Sequence, residues 1–489
     1  MPTADLVGLS TLTAERSRVL RDRLAATGYE LREPIPLETT VLAMEELRIP
    51  LIRRELERDE TAAGALALLF LYAGAVARSR VDRAIGADAR SWLETAGIVA
   101  TNGEDLRALF RLQVAEGVWI FCDEPAAGPT TVMPPGPTTV HLLAVMPRKL
   151  EGAMVDIGTG PGTVALVAAK RGARAVATDI NPRAVELTRF NAEFNELAVD
   201  VRIGDLFEPL SGDRFRWLYA QPPYVARPAD QTAVTFLHGG SRGDELAMRV
   251  VAGAPAVLDP GGVAAVLFDA PVGSEPLHDR LRAAIGPTGT DLAALNAPGI
   301  HPDMQAIGYA SLEDPTLGPR YAAAALRYRE HLEHAGISEV THSLAVIRAR
   351  PRADEAGWTI GLPVPRLPTD WAELESFLGG LDLAALSDDE LAVARVRPRT
   401  GMILTTQRLP GQDRSDVRRA IRFAPPTLAA ERELTEAGGA IVDLLATDAS
   451  MQRTIARFAA AMERSIDEVR PLVVSFVREC LARGLLVPA

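Results

Sequence analysis

A chain of 489 residues exceeds one ordinary hydrophobic core, so two or three domains are expected, and its 47% hydrophobic and 24% charged residues are those of a soluble globular protein. With 64 acidic against 52 basic residues the formal net charge is -12, which argues against a surface built to wrap polyphosphate but not against a single nucleotide or a cationic substrate. Two cysteines, Cys122 and Cys480, exclude a disulfide framework or a Cys-based zinc motif and suit a reducing cytoplasm.

The opening Met1-Pro2-Thr3-Ala4-Asp5 has no basic segment followed by an apolar stretch, so no secretory signal is expected. Leu20–Leu24, Leu47–Leu56, Ala62–Ala77 and Ser79–Gly97 read as helices. The apolar run Ala62–Ala77 is short of the roughly 20 residues that cross a bilayer, and a buried helix is expected there; no membrane partner is expected. Asn102-Gly103 marks a hairpin turn, and Val118–Phe121 follows as an apolar strand. Residues 1–124 are therefore expected to form a mostly helical, winged-helix-like domain. Its charges are mixed, so nucleic acid is kept as a partner but not favoured. Pro125–Pro137, rich in Pro, Gly and Thr, reads as a linker.

From Met154 onward strands and helices alternate: Met154–Ile157, Thr163–Arg171, Ala175–Thr178, Pro182–Glu196, Val199–Ile203, Trp217–Ala220, Asp244–Leu258 and Val263–Phe268. That rhythm signals βαβ units and a mainly parallel sheet. It closes with a helix at Tyr321–Ala335 and a strand at Glu339–Arg350. Residues 353–489 start Pro-rich and end in the helices Leu428–Leu445, Met451–Met462 and Ile466–Arg483, with Gly484 as a C-cap. They form a second, mostly helical, winged-helix-like module, with dimerisation (a homodimer) or a lid among its expected roles.

Asp156-Ile157-Gly158-Thr159-Gly160-Pro161-Gly162-Thr163 runs from a strand through a glycine turn into a helix. Glycine tolerates positive φ and lets backbone approach a ligand. Thr163 stands where a dinucleotide-binding GxGxxG turn has its last glycine. A pyrophosphate needs that helix N-terminus open, whereas S-adenosylmethionine has no phosphate and places only its methionine portion there. Asp156 can meet the cofactor's amino group. Asp179, with Ile180 beside it, ends the next strand and can accept from both ribose hydroxyls. Asp205 can accept from the adenine amino group, and Leu206 or Phe207 can cover the ring. Four such elements at consecutive strand tips fall where open α/β sheets bind ligands.

The fourth strand leads into Gln221-Pro222-Pro223-Tyr224. With His238-Gly239-Gly240-Ser241-Arg242-Gly243-Asp244-Glu245-Leu246 and Leu258-Asp259-Pro260-Gly261-Gly262, this makes residues 133–350 resemble class I S-adenosylmethionine-dependent methyltransferases, especially protein-(glutamine-N5) methyltransferases and related actinobacterial proteins. The resemblance implies a Rossmann-like α/β core over 133–352, with a mainly parallel seven-stranded sheet, between domains 1–124 and 353–489. It implies S-adenosylmethionine as cofactor, contacted by Asp156, Gly158, Gly160, Gly162, Asp179, Ile180, Asp205, Leu206 and Gln221. It also implies that Gln221, Pro222 and Tyr224 do the catalytic work. In that family an Asn or Asp and a proline carbonyl accept the hydrogens of the substrate nitrogen, which aims its lone pair at the methyl carbon; the next proline stiffens the turn, and the tyrosine stacks on a planar group or faces developing positive charge. Thr139, Pro223, Tyr224 and His238 are the expected substrate contacts; for His238 the alternative is a solvent-exposed loop residue.

Two departures bear on the substrate. Gln221 replaces the family's Asn or Asp, and Pro135–Val140 keeps Thr139 but lacks the family's Arg and acids. A release-factor glutamine is therefore disfavoured. The expected reaction is direct N-methylation of an amino-acid, peptide or other small natural-product acceptor. The alternatives are a nucleic-acid or translation-protein acceptor, a cofactor-binding protein without turnover and, more remotely, an NAD-dependent oxidoreductase. His301, His331, His334 and His342 include no HExxH-type spacing, and no metal is assigned.

Overall fold

A computed structural model describes residues 4–29, 43–124, 130–230, 235–314, 318–407 and 418–489. Part of the expected linker, residues 125–129, lies outside them. The chain divides into two compact units, one of Met1–Leu143, Arg148–Asp291 and Gly299–Gly357, the other of Ala144–Pro147, Leu292–Pro298 and Trp358–Ala489. Among the described residues, no helix is long and apolar enough to cross a membrane.

The first unit begins with helices α1 (Ala14–Ala26), α2 (Ala43–Arg58) and α3 (Ala62–Phe70), strand β1 (Val76–Ala77), helices α4 (Arg78–Ile85) and α5 (Ala87–Thr95), and strands β2 (Val99–Asn102), β3 (Asp105–Ala108), β4 (Arg111–Ala115) and β5 (Val118–Cys122). The apolar run at 62–77 ends its helix early because the chain turns at Ala73, in the left-handed region at φ +49°, to feed β1 into a sheet with β3. Gly86, at φ +88°, divides the helix expected at 79–97 into two. Asn102 pairs with Asp105 across the predicted hairpin, whose turn contains Gly103 at φ +65°.

Helix α6 (Pro137–Ala144) leads into the alternating core: β6 (Ala153–Ile157), α7 (Thr163–Lys170), β7 (Arg174–Asp179), α8 (Pro182–Phe194), β8 (Val199–Ile203), β9 (Phe215–Ala220), β10 (Val225–Ala226), β11 (His238–Gly240), α9 (Glu245–Val257), β12 (Leu258–Pro271), α10 (Leu277–Ile285), β13 (Thr290–Asn296), α11 (Pro302–Glu313), α12 (Pro319–His334) and β14 (Val340–Ala349). Within this unit the sheet runs β14-β12-β9-β6-β7-β8, parallel except for β12 against β14. Strand order reverses between β6 and β9, the position at which open α/β sheets present a crevice beyond their strand ends. The N-terminal elements share one hydrophobic core with α8. Phe121 of β5 meets Phe190 and Phe194 at centroid distances of 5.4 and 5.0 Å. The buried Asn191 side chain accepts from the Phe121 N–H and donates to its carbonyl, both at 2.9 Å, so the Phe121 backbone is satisfied where that core closes.

In the second unit β13 pairs in parallel with β15 (Thr359–Pro363). There follow α13 (Trp371–Ala384), α14 (Asp388–Val393), β16 (Val396–Pro398), β17 (Met402–Gln407), β18 (Arg418–Phe423), β19 (Arg432–Leu434), α15 (Glu436–Thr447), α16 (Met451–Ala461), α17 (Ile466–Ala482) and β20 (Leu486–Pro488). The helix expected from Leu428 starts only at Glu436, because Arg432–Leu434 extends the β17-β18 sheet and the Thr435 side chain caps the helix by accepting from the Gly438 N–H. Gly484, at φ +71°, follows α17 as expected.

Candidate active site

One cavity of about 680 Å³ lies in the first unit. It is lined by the glycine turn after β6, the tips of β7, β8, β9 and β12, the start of α6 and one face of α11. The site residues expected from the sequence line it except Gly162, which stands behind the turn, and Phe207, which was offered beside Leu206 as a cover for the adenine.

Gly158, Gly160 and Gly162 have φ values of +71°, +57° and +88°, so each needs the freedom glycine provides. A Cβ at Gly158 or Gly160 would point into open space, while one at Gly162 would come within 2.7 Å of Thr188 Cγ2. The first two glycines thus shape the surface of the cavity, and the third permits close packing of α8. Asp156 is 3% exposed. Its Oδ2 accepts from Thr159 Oγ1 at 2.6 Å and from the Ala165 N–H at 3.2 Å, and burial pushes its pKa up to about 7. This carboxyl ties the turn to α7.

Asp179 joins two loops. Oδ2 accepts the Gly160 N–H at 2.9 Å and Oδ1 the Asn181 N–H at 2.8 Å, while burial raises its pKa. Each oxygen keeps a further lone pair. Beside it, Ile180 is 55% exposed, an apolar side chain presented at the rim where a nucleoside can cover it. Asp205 accepts from Arg249 Nη2 at 2.6 Å, and Leu206 takes φ +51°, an uncommon conformation for a branched side chain.

Gln221 is held on both ends of its amide. Nε2 donates to Thr138 Oγ1 at 2.6 Å, and Oε1 accepts from Thr139 Oγ1 at 3.0 Å. Thr138 also hydrogen-bonds Tyr224, whose phenol is raised in pKa by burial and then by Asp269. The glycines of the following loop are explained by close approach to the QPPY turn: a Cβ at Gly239 would lie 2.3 Å from the Pro223 carbonyl oxygen, and one at Gly243 2.4 Å from that of Tyr224. His238 is partly buried rather than solvent-exposed. Its Nε2 lies 3.2 Å from Tyr328 Oη, and burial, then Arg227 and Arg327, lowers its pKa to about 4, which leaves it neutral near pH 7.

Sequence reasoning missed several cavity residues: Thr138, Asp269, Gln305 and Tyr309. Asp269 had a signal, an acid just past the tip of an expected strand. The others sit on helices that bring distant segments to the cavity.

The residues present suit S-adenosylmethionine. Two open positive-φ glycines leave room for a methionine backbone, and the Thr163 hydroxyl, 2% exposed and without a hydrogen-bond partner among the described residues, lines the same cavity. Acids follow at the next two strand tips, where they can accept from hydroxyl and amino groups. Fold and site together define a class I methyltransferase. The profile of the family described as "Methyltransferase small domain" matches residues 136–288. A protein of Methanocaldococcus jannaschii described as a protein N5-glutamine methyltransferase is 30% identical over 156 residues, 31% of this chain and 79% of that one. The release factor glutamine methyltransferase of Geobacter sulfurreducens is 33% identical over 165 residues, 31% of this chain, but this chain spans only 58% of its length. A solved methyltransferase from Pyrococcus furiosus is 20% identical, covering 42% of this chain and 79% of its own, with a TM-score of 0.27. The chain belongs to the class I S-adenosylmethionine-dependent methyltransferases and is similar, within them, to the protein N5-glutamine methyltransferases. It is an S-adenosylmethionine-dependent methyltransferase.

Proposed function

We propose that this enzyme N-methylates an amide or amine nitrogen of an amino-acid, peptide or related natural-product acceptor by direct transfer, with the chemistry carried by residues 133–352. One observation supports this above the rest: the glycine turn, Asp179 and Asp205 line the same cavity as Gln221 and Tyr224. The donor and acceptor sites therefore share a single space. The relatives named above, which bear the names of protein glutamine methyltransferases, favour a protein or peptide acceptor.

In this reading Gly158 and Gly160 accommodate the methionine portion of the cofactor, Asp179 the ribose, and Asp205, Ile180 and Leu206 the adenine. When bound, S-adenosylmethionine supplies an electrophilic methyl group on a sulfonium. The protein's task is then positioning, which can remove several kcal/mol of barrier. Gln221 Oε1, held by Thr139, and the Pro222 carbonyl accept hydrogens from the acceptor nitrogen and so direct its lone pair. Tyr224 faces the charge that develops there; as a phenol whose pKa is raised by burial it stays neutral and presents its ring. His238 and Pro223 contact the acceptor beyond the nitrogen. No covalent enzyme intermediate is needed.

The test is incubation with labelled methyl donor and fractionated extract of the host, with mass identification of the labelled product. An N-methylated amino acid or peptide is expected, and Tyr224→Ala should lower its formation about 10²-fold with little change in cofactor affinity. Methyl groups found only in nucleic acid, or wild-type turnover by Tyr224→Ala, would reject the reading.

A further inference from the structure

Asp269, at the tip of β12, is buried and lines the cavity. Its Oδ2 accepts from Gln305 Nε2 at 2.9 Å, and its Oδ1 lies 2.8 Å from His342 Nδ1. The second hydrogen of the Gln305 amide goes to Tyr309 Oη at 2.8 Å. An ionised carboxylate only accepts, so the amide nitrogen must face Asp269 and its orientation is set. That leaves Gln305 Oε1 turned away from Asp269. Gln305 is 4% exposed and lines the cavity, yet Oε1 has no hydrogen-bond partner among the described residues.

A buried carbonyl oxygen left unpaired costs on the order of 1–3 kcal/mol. It persists at little cost if a ligand supplies the hydrogen. The surroundings decide what kind of ligand. Two acceptor groups, the Gln305 carbonyl and the Asp269 carboxylate, stand beside the tyrosines Tyr224 and Tyr309 of the same cavity, and Asp269 bears electrostatically on both phenols. The site is rich in acceptors and walled by aromatic groups, so it repels carboxylates and phosphates and matches a planar group that carries N–H.

We propose that Gln305 Oε1, positioned by Asp269 and Tyr309, is a specificity determinant that accepts a hydrogen bond from the methyl acceptor, so that the acceptor group is an amide or guanidinium bearing N–H beyond what Gln221 engages. This rests on the reading of Gln221 and Tyr224 as the acceptor site. Gln305 is a specificity residue, with no part in methyl transfer itself.

The probes are capped peptides of one glutamine, one arginine or one glutamate residue, titrated by calorimetry into the full chain preloaded with S-adenosylhomocysteine. The glutamine or the arginine peptide is expected to bind at least tenfold more tightly than the glutamate peptide, and whichever binds identifies the source of the N–H. Gln305→Leu should weaken that binding at least tenfold while S-adenosylhomocysteine affinity stays unchanged. Equal binding of all three peptides, binding of none, or wild-type binding by Gln305→Leu overturns the proposal. A Gln305→Leu variant that loses S-adenosylhomocysteine binding is misfolded, and Gln305→Met, closer to glutamine in length and flexibility, then carries the test. Failure of the wild-type protein to bind S-adenosylhomocysteine would instead overturn the cofactor and acceptor reading beneath it.

Discussion

Asp179→Ala tests the centre of the pocket. In the native protein the Asp179 carboxylate takes one N–H from the glycine turn and one from the loop opening α8, each below 3 Å, and retains a lone pair on each oxygen. Two ribose hydroxyls placed there would add two hydrogen bonds to a charged acceptor. At about 1.5 kcal/mol each, the low end for such bonds, their loss is about 3 kcal/mol, or roughly a 10²-fold rise in Kd. The Gly160 and Asn181 N–H groups also lose their partner, which loosens the turn in the same direction. Calorimetric titration with S-adenosylhomocysteine measures the effect, and a thermal melt confirms that the variant is folded. Asp179→Asn should lie between the two, since its NH2 must oppose one of those backbone N–H groups. A folded Asp179→Ala protein that binds within threefold of wild type would refute the assignment of this strand tip to the cofactor.

Gly162→Ala should destabilise the fold more than Gly160→Ala, because its Cβ meets Thr188 at 2.7 Å where the other meets open space, although both strain a positive φ; melting temperatures check the order, and the reverse order would contradict the packing. Thr138→Val and Thr139→Val each free one end of the Gln221 amide and should lower kcat about tenfold without altering cofactor Kd; a change confined to Kd would place these threonines elsewhere in the mechanism. Asp156 holds its proton to about pH 7 in the folded state, whereas the unfolded chain releases it near pH 4. Between those values the native state binds more protons, so this group's contribution to stability is complete below pH 4 and is lost as pH rises to 7. Asp156→Asn cannot titrate, so its melting temperature relative to wild type should climb over that interval; a flat difference would show that the carboxyl is already ionised.

Much of the glycine-turn side of the cavity was legible because its signals are local. Positive φ at Gly158, Gly160 and Gly162 is a backbone demand that few residues besides glycine meet, and acids just beyond apolar runs mark strand tips whether or not their neighbours in space are known. Five strands of the core, β6, β7, β8, β9 and β14, appeared within two residues of their expected positions, since a nearly continuous apolar run is what a strand covered on both faces requires, whereas β12 extends well beyond the expected 263–268 and β13 was not expected. On the other side of the cavity Thr139, Gln221, Pro222, Pro223, Tyr224 and His238 were also named from the sequence, but the residues that hold them were hidden. The linker expected at 125–137 ends on Pro137, and that proline, at the first helical position, starts an unexpected helix with its φ already set. Only folding carries that helix to a strand tip more than 80 residues away, where Thr138 and Thr139 grip Gln221. Gln305 and Tyr309 likewise gain meaning from the approach of α11 to Asp269, and the N-terminal strands from sharing a core with α8. Backbone conformation is a property of a residue and its immediate neighbours, so it can be read along the chain; a hydrogen-bond partner is a property of position in space, and long-range packing alone supplies it.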